Sequence, residues 1–148
     1  MRKGSSRKGS SKLSAKDLLA IEQLNARFAQ AFDMILPDPA AAWAGTFSPT
    51  GDFTLLDAGG HVQAKAHGTR ELKALHGQLA RPTSRHWYTN LLIEPDRGGR
   101  ARMRCYFISL DTATRSLVRT ATYSDTLVKL RGQWKFKSRT VTLDAGSS

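Results

Sequence analysis

The stretch from Arg85 to Glu94, RHWYTNLLIE, decides the fold, because the sequence reads as β-strands from this point onward. Four segments are rich in the β-branched and aromatic residues that strands favour, and they cover residues 85–94, 100–111, 117–130 and 133–143. Turn signals join them in order: PDRGGR, DTATRS and RGQ. We therefore predict a long antiparallel meander in the second half of the chain.

The first half of the chain has helical periodicity instead. Ser14 followed by Asp17 resembles a capping box with Asp in place of Glu. Apolar residues then recur at steps of three and four: Leu18, Ile21, Leu24, Phe28, Phe32 and Ile35. This pattern predicts an amphipathic helix that is closed by Pro37.

Shorter elements fill the middle of the chain. Asp38 and Pro39 predict the start of a second helix, as its N-cap and its first helical residue. A Pro-Thr-Gly turn at 49–51 precedes a short predicted strand at 53–56, and a third helix, GTRELKALHGQLA, ends before Pro82. Helices that precede strands argue for an α+β fold, with the helices packed on one face of a curved, mostly antiparallel sheet.

The chain has 148 residues, which is long enough for one domain that buries a core of its own. We place that domain at residues 14–144, between a disordered basic tail at 1–13 and a frayed end at 145–148. No run approaches the roughly 20 apolar residues that cross a bilayer. No apolar stretch follows the basic N-terminus either, so we expect a cytoplasmic protein without a membrane partner.

The formal net charge of +11 raises the question of nucleic-acid binding. Five of the basic residues lie in the predicted tail, which leaves +6 for the rest of the chain. Arg100, Arg102 and Arg104 alternate along one strand, as on a solvated face, and no aromatic–basic signature of RNA binding accompanies them. Nucleic acid is therefore the minority interpretation.

The sequence carries no pattern typical of a cofactor or metal site. It has no Gly-rich phosphate loop, no HExxH or CxxC pattern and no nucleophile elbow, so we expect neither cofactor nor metal. Cys105 is the only cysteine, which excludes an intrachain disulfide. Its apolar, strand-like surroundings predict a small buried hydrophobe.

Four phrases in this order resemble the SnoaL-like branch of the nuclear-transport-factor-two-like superfamily. They are ARFAQAFD, FSPTGDF, RHWYTNLLIE and YSDTLVKLRGQWKFKSRTVTLD, and the resemblance covers residues 14–144. It implies a cone-shaped sheet, closed by the N-terminal helices into an α+β barrel around an apolar cavity. The superfamily includes scytalone dehydratase, bile-acid dehydratase, hexachlorocyclohexane dehydrochlorinase, ketosteroid isomerase, polyketide cyclases and the small subunits of ring-hydroxylating dioxygenases.

The resemblance also implies a catalytic pair, Asp33 and His86. In the two dehydratases and the dehydrochlorinase, an aspartate that ends the first helix holds a histidine at a strand start. A neutral imidazole can take a proton from carbon near pH 7, and a carboxylate on its other nitrogen fixes the tautomer and stabilises the imidazolium. The residues alone leave a second interpretation open, in which Asp33 is a solvated helix-end carboxylate and His86 a core histidine bonded to a backbone carbonyl.

The sequence departs from those dehydratases at their active-site tyrosines, where an approximate alignment places Phe28, Phe32 and Leu55. Tyr88, Tyr106, Tyr123 and Asp125 are the candidates to replace them, and aromatic packing between strands is an equally good explanation of the tyrosines. The predicted substrate-binding residues follow from apolar character, strand parity and the alignment: Phe28, Phe32, Trp43, Leu55, Tyr88, Met103, Phe107, Tyr123 and Asp125.

Two classes of function remain. The leading hypothesis is a cofactor-independent lyase or isomerase for a small, mostly apolar substrate, cyclic compounds included, with His86 as general base and Asp33 as its orienter. The rival is a non-catalytic module, either a binder of small molecules or a scaffold subunit like those of ring-hydroxylating dioxygenases. The resemblance further implies a homo-oligomer, a dimer or a trimer.

Overall fold

A computed structural model describes residues 12–147. All of the predicted tail except Lys12 and Leu13 lies outside the described residues, as does Ser148. Near the end predicted to be frayed, the Ser147 hydroxyl accepts a hydrogen bond from the Thr120 backbone N–H at 3.1 Å. Within the described residues, no helix has both the length and the apolar character needed to span a membrane.

Helix α1 covers Ala15–Phe32 and begins with the predicted capping box, which is confirmed. The Asp17 N–H donates to the Ser14 hydroxyl at 3.1 Å, and the Asp17 carboxylate accepts from the Ser14 N–H at 3.0 Å. The predicted extension to Pro37 is wrong, because Met34 adopts a left-handed backbone with φ 61° that ends the helix. The predicted apolar stripe accordingly fails at its far end, where Ile35 is exposed.

The second helix, α2, covers Pro39–Ala44, and α3 covers Gly68–Leu79. The predicted cap of α2 is wrong in its mechanism, since Asp38 makes no side-chain cap hydrogen bond and has φ 45°. Strand β1, Phe47–Leu56, includes the predicted turn at 49–51, where its register with β6 shifts between Phe47 and Asp52. Strand β2, Val62–His67, was not predicted.

The predicted meander is confirmed as four antiparallel strands: β3 Ser84–Pro95, β4 Ala101–Asp111, β5 Ser116–Leu130 and β6 Gln133–Leu143. The sheet order is β2-β1-β6-β5-β4-β3. Because β1 pairs with β6 in parallel, the sheet is mixed. It stays open, with β2 and β3 as its edges, so the sheet itself does not close into the barrel that the resemblance implied.

The helices and the inner face of the sheet enclose the core. Helix α1 contacts β3 and β6, α3 contacts β1 and β2, and α2 lies between the two longer helices. Strand β4 shows the alternation clearly, since Met103, Cys105 and Phe107 are buried while Arg102 and Arg104 are exposed. The α+β architecture predicted from the order of helices and strands is therefore confirmed, and it leaves the carboxyl end of α1 beside the start of β3.

Candidate active site

Asp33 is a buried carboxylate at the end of α1. It caps the helix with φ −75° and ψ 5°, its N–H donates to the Ala29 carbonyl at 2.9 Å, and only 4% of its side chain is exposed. The negative end of the helix dipole disfavours a second negative charge there. His86 supplies the compensation, because its backbone N–H donates to Oδ2 at 3.0 Å and its imidazole Nδ1 contacts Oδ1.

His86 stands between this carboxylate and two aromatic rings. Phe32 meets the imidazole edge-on, with centroids 4.7 Å apart, and Phe107 stacks on it at 5.1 Å with an interplanar angle of 28°. A carboxylate only accepts hydrogen bonds, so the contact with Asp33 requires the proton of a neutral imidazole to sit on Nδ1. The other nitrogen, Nε2, is then the basic atom, and His86 lines a cavity between the helices and the sheet.

A β-bulge separates the part of β3 that carries His86 from the part that only packs. The register with β4 shifts between Thr89 and Leu92, and Asn90 has φ 56°. Before the bulge, Ser84, His86 and Tyr88 line the cavity, whereas after it Leu91 packs against the core. The bulge therefore allows one edge strand to present an imidazole and a phenol at one end and an aliphatic surface at the other.

A cavity of about 350 Å³ lies between the helices and the sheet. Six of the predicted wall residues line it: Phe28, Phe32, Leu55, Tyr88, Phe107 and Tyr123. Three do not, namely Trp43, Met103 and Asp125. Trp43 packs among the rings of Phe28 and Phe53, and Met103 sits opposite Asp125 toward the other end of the sheet. Strand parity predicts the face on which a residue lies but not its position along the strand.

Tyr88 and Tyr123 form a hydroxyl pair on the cavity wall. The Tyr88 hydroxyl donates to that of Tyr123 at 3.2 Å, and the ring centroids are 5.0 Å apart. Burial raises the pKa of both phenols above the ordinary value, against the opposing influence of the nearby Arg139 guanidinium. Both groups therefore stay protonated at neutral pH, and Tyr123, which accepts the proton of Tyr88, has its own O–H left to donate to a ligand oxygen.

The buried ion pair Arg139–Asp125 lies behind this tyrosine pair. Arg139 Nε and Nη2 donate to the two Asp125 oxygens at 2.9 Å each, and Nη2 also donates to Asn25 Oδ1 at 2.7 Å. The guanidinium carbon lies 4.6 Å from the Tyr123 ring centroid and 4.3 Å from that of Phe28. Burial raises the pKa of the Asp125 carboxyl, and the charge of Arg139 opposes that rise.

Sequence reasoning missed Arg139, although a signal for it exists. Arg139 shares strand parity with the buried Val141 and Leu143, and Asp125 shares parity with the buried Tyr123. Opposite charges on the apolar faces of two adjacent strands indicate a buried ion pair. Direct register between Asp125 and Arg139 bears this out.

The remaining thiol and imidazoles lie outside this constellation. Cys105 is buried, as predicted, and burial raises its pKa to about 12, so the thiol stays protonated and unreactive. His76 is buried and bonds to the Ala31 carbonyl through Nε2 at 3.0 Å, whereas His61 and His67 are exposed. Among the described residues, no group of three or more His, Cys, Asp or Glu side chains is placed to hold a metal ion.

Comparison with known proteins shows which protein family and which solved structures this chain resembles. A family model described as a SnoaL-like domain matches residues 14–140. A solved protein of unknown function with a cystatin-like fold from Nostoc punctiforme PCC 73102 is 25% identical, with a TM-score of 0.77 over 92% of this chain and 97% of that one. No curated protein sequence matches the chain.

Two further solved structures come from Novosphingobium aromaticivorans DSM 12444 and are similar in fold. A proposed scytalone dehydratase is 20% identical, with a TM-score of 0.70 over 87% of this chain and 85% of that one. The β subunit of a proposed aromatic-ring-hydroxylating dioxygenase is 17% identical, with a TM-score of 0.73 over 86% of this chain and 88% of that one. Catalytic and subunit proteins therefore share this backbone, and the side chains of the cavity must discriminate between them.

Proposed function

The chain belongs to the family of SnoaL-like domains, and we propose that it is a cofactor-independent lyase or isomerase that removes a proton from carbon. The observation that carries this proposal is the imidazole of His86 on the cavity wall, held through Nδ1 by the buried Asp33. A packing histidine needs no carboxylate, and a buried carboxylate at a helix carboxyl end is unfavourable unless it has a partner.

In the proposed elimination, His86 is the only base. Nε2 takes a proton from a carbon beside a carbonyl, and the C–H electron pair forms the new double bond as a hydroxide leaves the neighbouring carbon. The imidazolium returns that proton to the departing oxygen, so that water is released and His86 is neutral again. In an isomerisation, the imidazolium returns the proton to a different carbon of the same molecule.

The tyrosine pair is the proposed electrophile. The negative charge that develops on a carbonyl oxygen during proton removal requires a hydrogen-bond donor in a water-poor site. Tyr123 accepts from Tyr88 and can give its own proton to the ligand oxygen. This pair would take the role of the dehydratase tyrosines that are replaced here by Phe28, Phe32 and Leu55.

The test follows proton exchange and needs no natural substrate. Small cyclic ketones and hydroxy ketones are incubated with the protein in D2O, and loss of the α-carbon proton is followed by 1H NMR. We expect exchange with the unaltered protein and a rate lower by about 10²–10⁴-fold in His86→Ala. His67→Ala is the matched control, because His67 is an exposed histidine whose carboxylate partner, Asp52, lies outside the cavity lining.

The rival is a binding or scaffold protein of the same fold, like the dioxygenase β subunit in architecture. This alternative predicts that ligands shift the NMR resonances of Phe107 and Tyr123 but do not exchange their α-carbon protons with the solvent. It also predicts that His86→Ala changes folding or affinity only. Full exchange activity in a folded His86→Ala variant would refute the proposed base.

A further inference from the structure

The guanidinium of Arg139 is fully buried and lies among aromatic rings. Its central carbon is 4.6 Å from the ring centroid of Tyr123 and 5.3 Å from that of Tyr88. The ring centroids of Phe28 and Phe136 lie at 4.3 and 4.1 Å. A buried cation attracts the negative face of an aromatic ring more strongly than an exposed one, because little water screens its charge. Arg139 is therefore in direct electrostatic contact with both members of the hydroxyl pair.

The negative partner of Arg139 lies further from the cavity than the tyrosines do. Along β5, Tyr123 lines the cavity, whereas Asp125, two residues further on and directly opposite Arg139, does not. Burial has the largest influence on the pKa of Tyr123 and raises it. The charge of Arg139 lowers that pKa by more than the charge of Asp125 raises it. The positive end of the ion pair is therefore the end that acts on the hydroxyl pair.

Hydrogen bonds satisfy only part of the Arg139 guanidinium. Asp125 accepts from Nε and Nη2 at 2.9 Å each, and Asn25 accepts from Nη2 at 2.7 Å. The remaining nitrogen, Nη1, is buried and has no hydrogen-bond partner within residues 12–147. An unpaired buried N–H group is unfavourable, so a purely structural ion pair would be expected to satisfy both amino groups. Part of the charge of Arg139 therefore remains available to stabilise a negative charge nearby.

We propose that Arg139 is a positioning residue that makes the Tyr88–Tyr123 pair an oxyanion site, so that the cavity takes ligands whose reacting form is an enolate or a phenolate. A ligand oxygen that gains negative charge draws the Tyr123 proton toward itself, and the phenol oxygen becomes more negative in turn. The guanidinium beside the ring stabilises that charge in a site of low dielectric constant. Arg139 does not line the cavity, so it acts on the ligand through the tyrosines. The inference rests on the proposed function for its reaction, since removal of a proton beside a carbonyl gives an enolate.

The test compares the two charge states of one ligand, 4-nitrophenol, whose phenol and phenolate forms differ in visible absorption. Spectra of the bound ligand across pH give the ratio of the phenolate affinity to the phenol affinity, because tighter binding of the phenolate lowers the pKa of the bound ligand. We expect this ratio to fall about tenfold in Asp125→Leu/Arg139→Met, in which neither buried charge remains. Arg102→Met is the matched control, because it removes an arginine from the exposed face of β4, and it should leave the ratio unchanged.

Two further variants separate a charge effect from a packing effect. Asp125→Asn/Arg139→Gln removes both charges but keeps groups that can hydrogen-bond, and the same tenfold fall is expected in it. Tyr123→Phe should lower the ratio by itself. In that background, the Leu and Met substitutions should have little further effect, which a double-mutant cycle measures. Circular dichroism of each variant reports whether the fold is intact.

An unchanged ratio in a folded variant without the two charges overturns the proposal, as does a lack of binding of 4-nitrophenol to the unaltered protein. If His86→Ala lowers the ratio and the charge-free variants keep it, the phenolate binds at the imidazole and the proposal is wrong. Binding of 4-nitrophenol needs no proton removal from carbon, so the result is independent of proton exchange. Dependence on Arg139 without exchange leaves an oxyanion-binding protein, and exchange without that dependence leaves a lyase whose tyrosines act unaided.

Discussion

Asp33 makes two contacts with a single residue, and these contacts determine what His86 can do. One oxygen accepts the His86 backbone N–H and the other contacts its imidazole, so the ring can neither rotate freely nor exchange tautomers without losing a buried hydrogen bond. Phe32 packs edge-on against the imidazole and Phe107 stacks on it, and these contacts further restrict the movement of the ring. The imidazole is thus oriented before a ligand arrives.

The Asp125–Arg139 pair predicts the largest effect of a single residue on stability. Asp125→Ala leaves a fully buried guanidinium without its counter-ion, and we expect it to reduce the free energy of unfolding by about 3–5 kcal/mol. Replacing both partners, as Asp125→Leu/Arg139→Met, should cost much less, because no buried charge remains. Urea unfolding of both variants checks this, and a double variant as unstable as the single one would contradict it.

Residue identities alone allowed Asp33 to be a solvated helix-end carboxylate, and only the family resemblance paired it with His86. The physical reason for the position of Asp33 is the backbone conformation of the next residue, Met34. Met34 turns the backbone left-handed, which ends α1 where the Asp33 side chain meets the start of β3. Nothing in a methionine signals a positive φ, so neither this stop nor the buried carboxylate could be predicted from helical periodicity.

At the scale of elements, α1 is fixed to the sheet at both ends by carboxylates. Asp33 holds the carboxyl end to β3. At the amino end, Asp17 closes the capping box and also accepts the Trp134 indole N–H and the Lys129 ammonium, both at 3.0 Å. Since α1 supplies the Phe28 and Phe32 walls, these anchors also set the shape of the cavity.

The amino-terminal anchor should weaken in acid. The Ser14 backbone N–H, the Trp134 indole and Lys129 hold the pKa of Asp17 below its usual range, so its contribution to stability is complete above the unfolded-state pKa of about 4 and is lost as pH falls through the folded-state value. The urea midpoint of Asp17→Asn should therefore lie below that of the unaltered protein at pH 6, by a difference that shrinks below pH 4. Glu94→Gln is the control, and a difference independent of pH would contradict the assignment.

The long meander strands were predictable, whereas the short strand β2 and the irregular start of β1 were not. The meander strands emerged from residue type and turn signals, and their bounds agree closely with β3 to β6. Strand β2 was missed although VQAKAH alternates apolar and polar residues, because two of its three apolar residues are alanines, which strands disfavour, and it pairs with β1 alone. The predicted turn at 49–51 lies inside β1 as an irregularity, because the register with β6 shifts between Phe47 and Asp52 and Gly51 comes so close to Phe47 and the Phe136 carbonyl that a Cβ would lie within 3.0 Å of both.

The whole molecule combines a buried ion pair, an oriented imidazole and an amphipathic cavity under one sheet. The cavity itself was predictable only through the family resemblance. Alternation along a strand predicts the face of the sheet on which a residue lies, but not how deep in the cavity its side chain sits. The outer face of the sheet carries solvated arginines such as Arg102 and Arg104, whereas Arg81 and Arg119 are among the residues that line the cavity.

The central claim is that Asp33 holds His86 as a base whose free nitrogen faces the cavity. The most direct test is a long-range 1H–15N correlation spectrum of the uniformly labelled protein, recorded at a pH at which the His86 imidazole is neutral. We predict a protonated Nδ1 and an unprotonated Nε2 for His86, with loss of that preference in Asp33→Asn. A proton on Nε2 in the unaltered protein would contradict the account, because the nitrogen that faces the cavity would then be a donor and not a base.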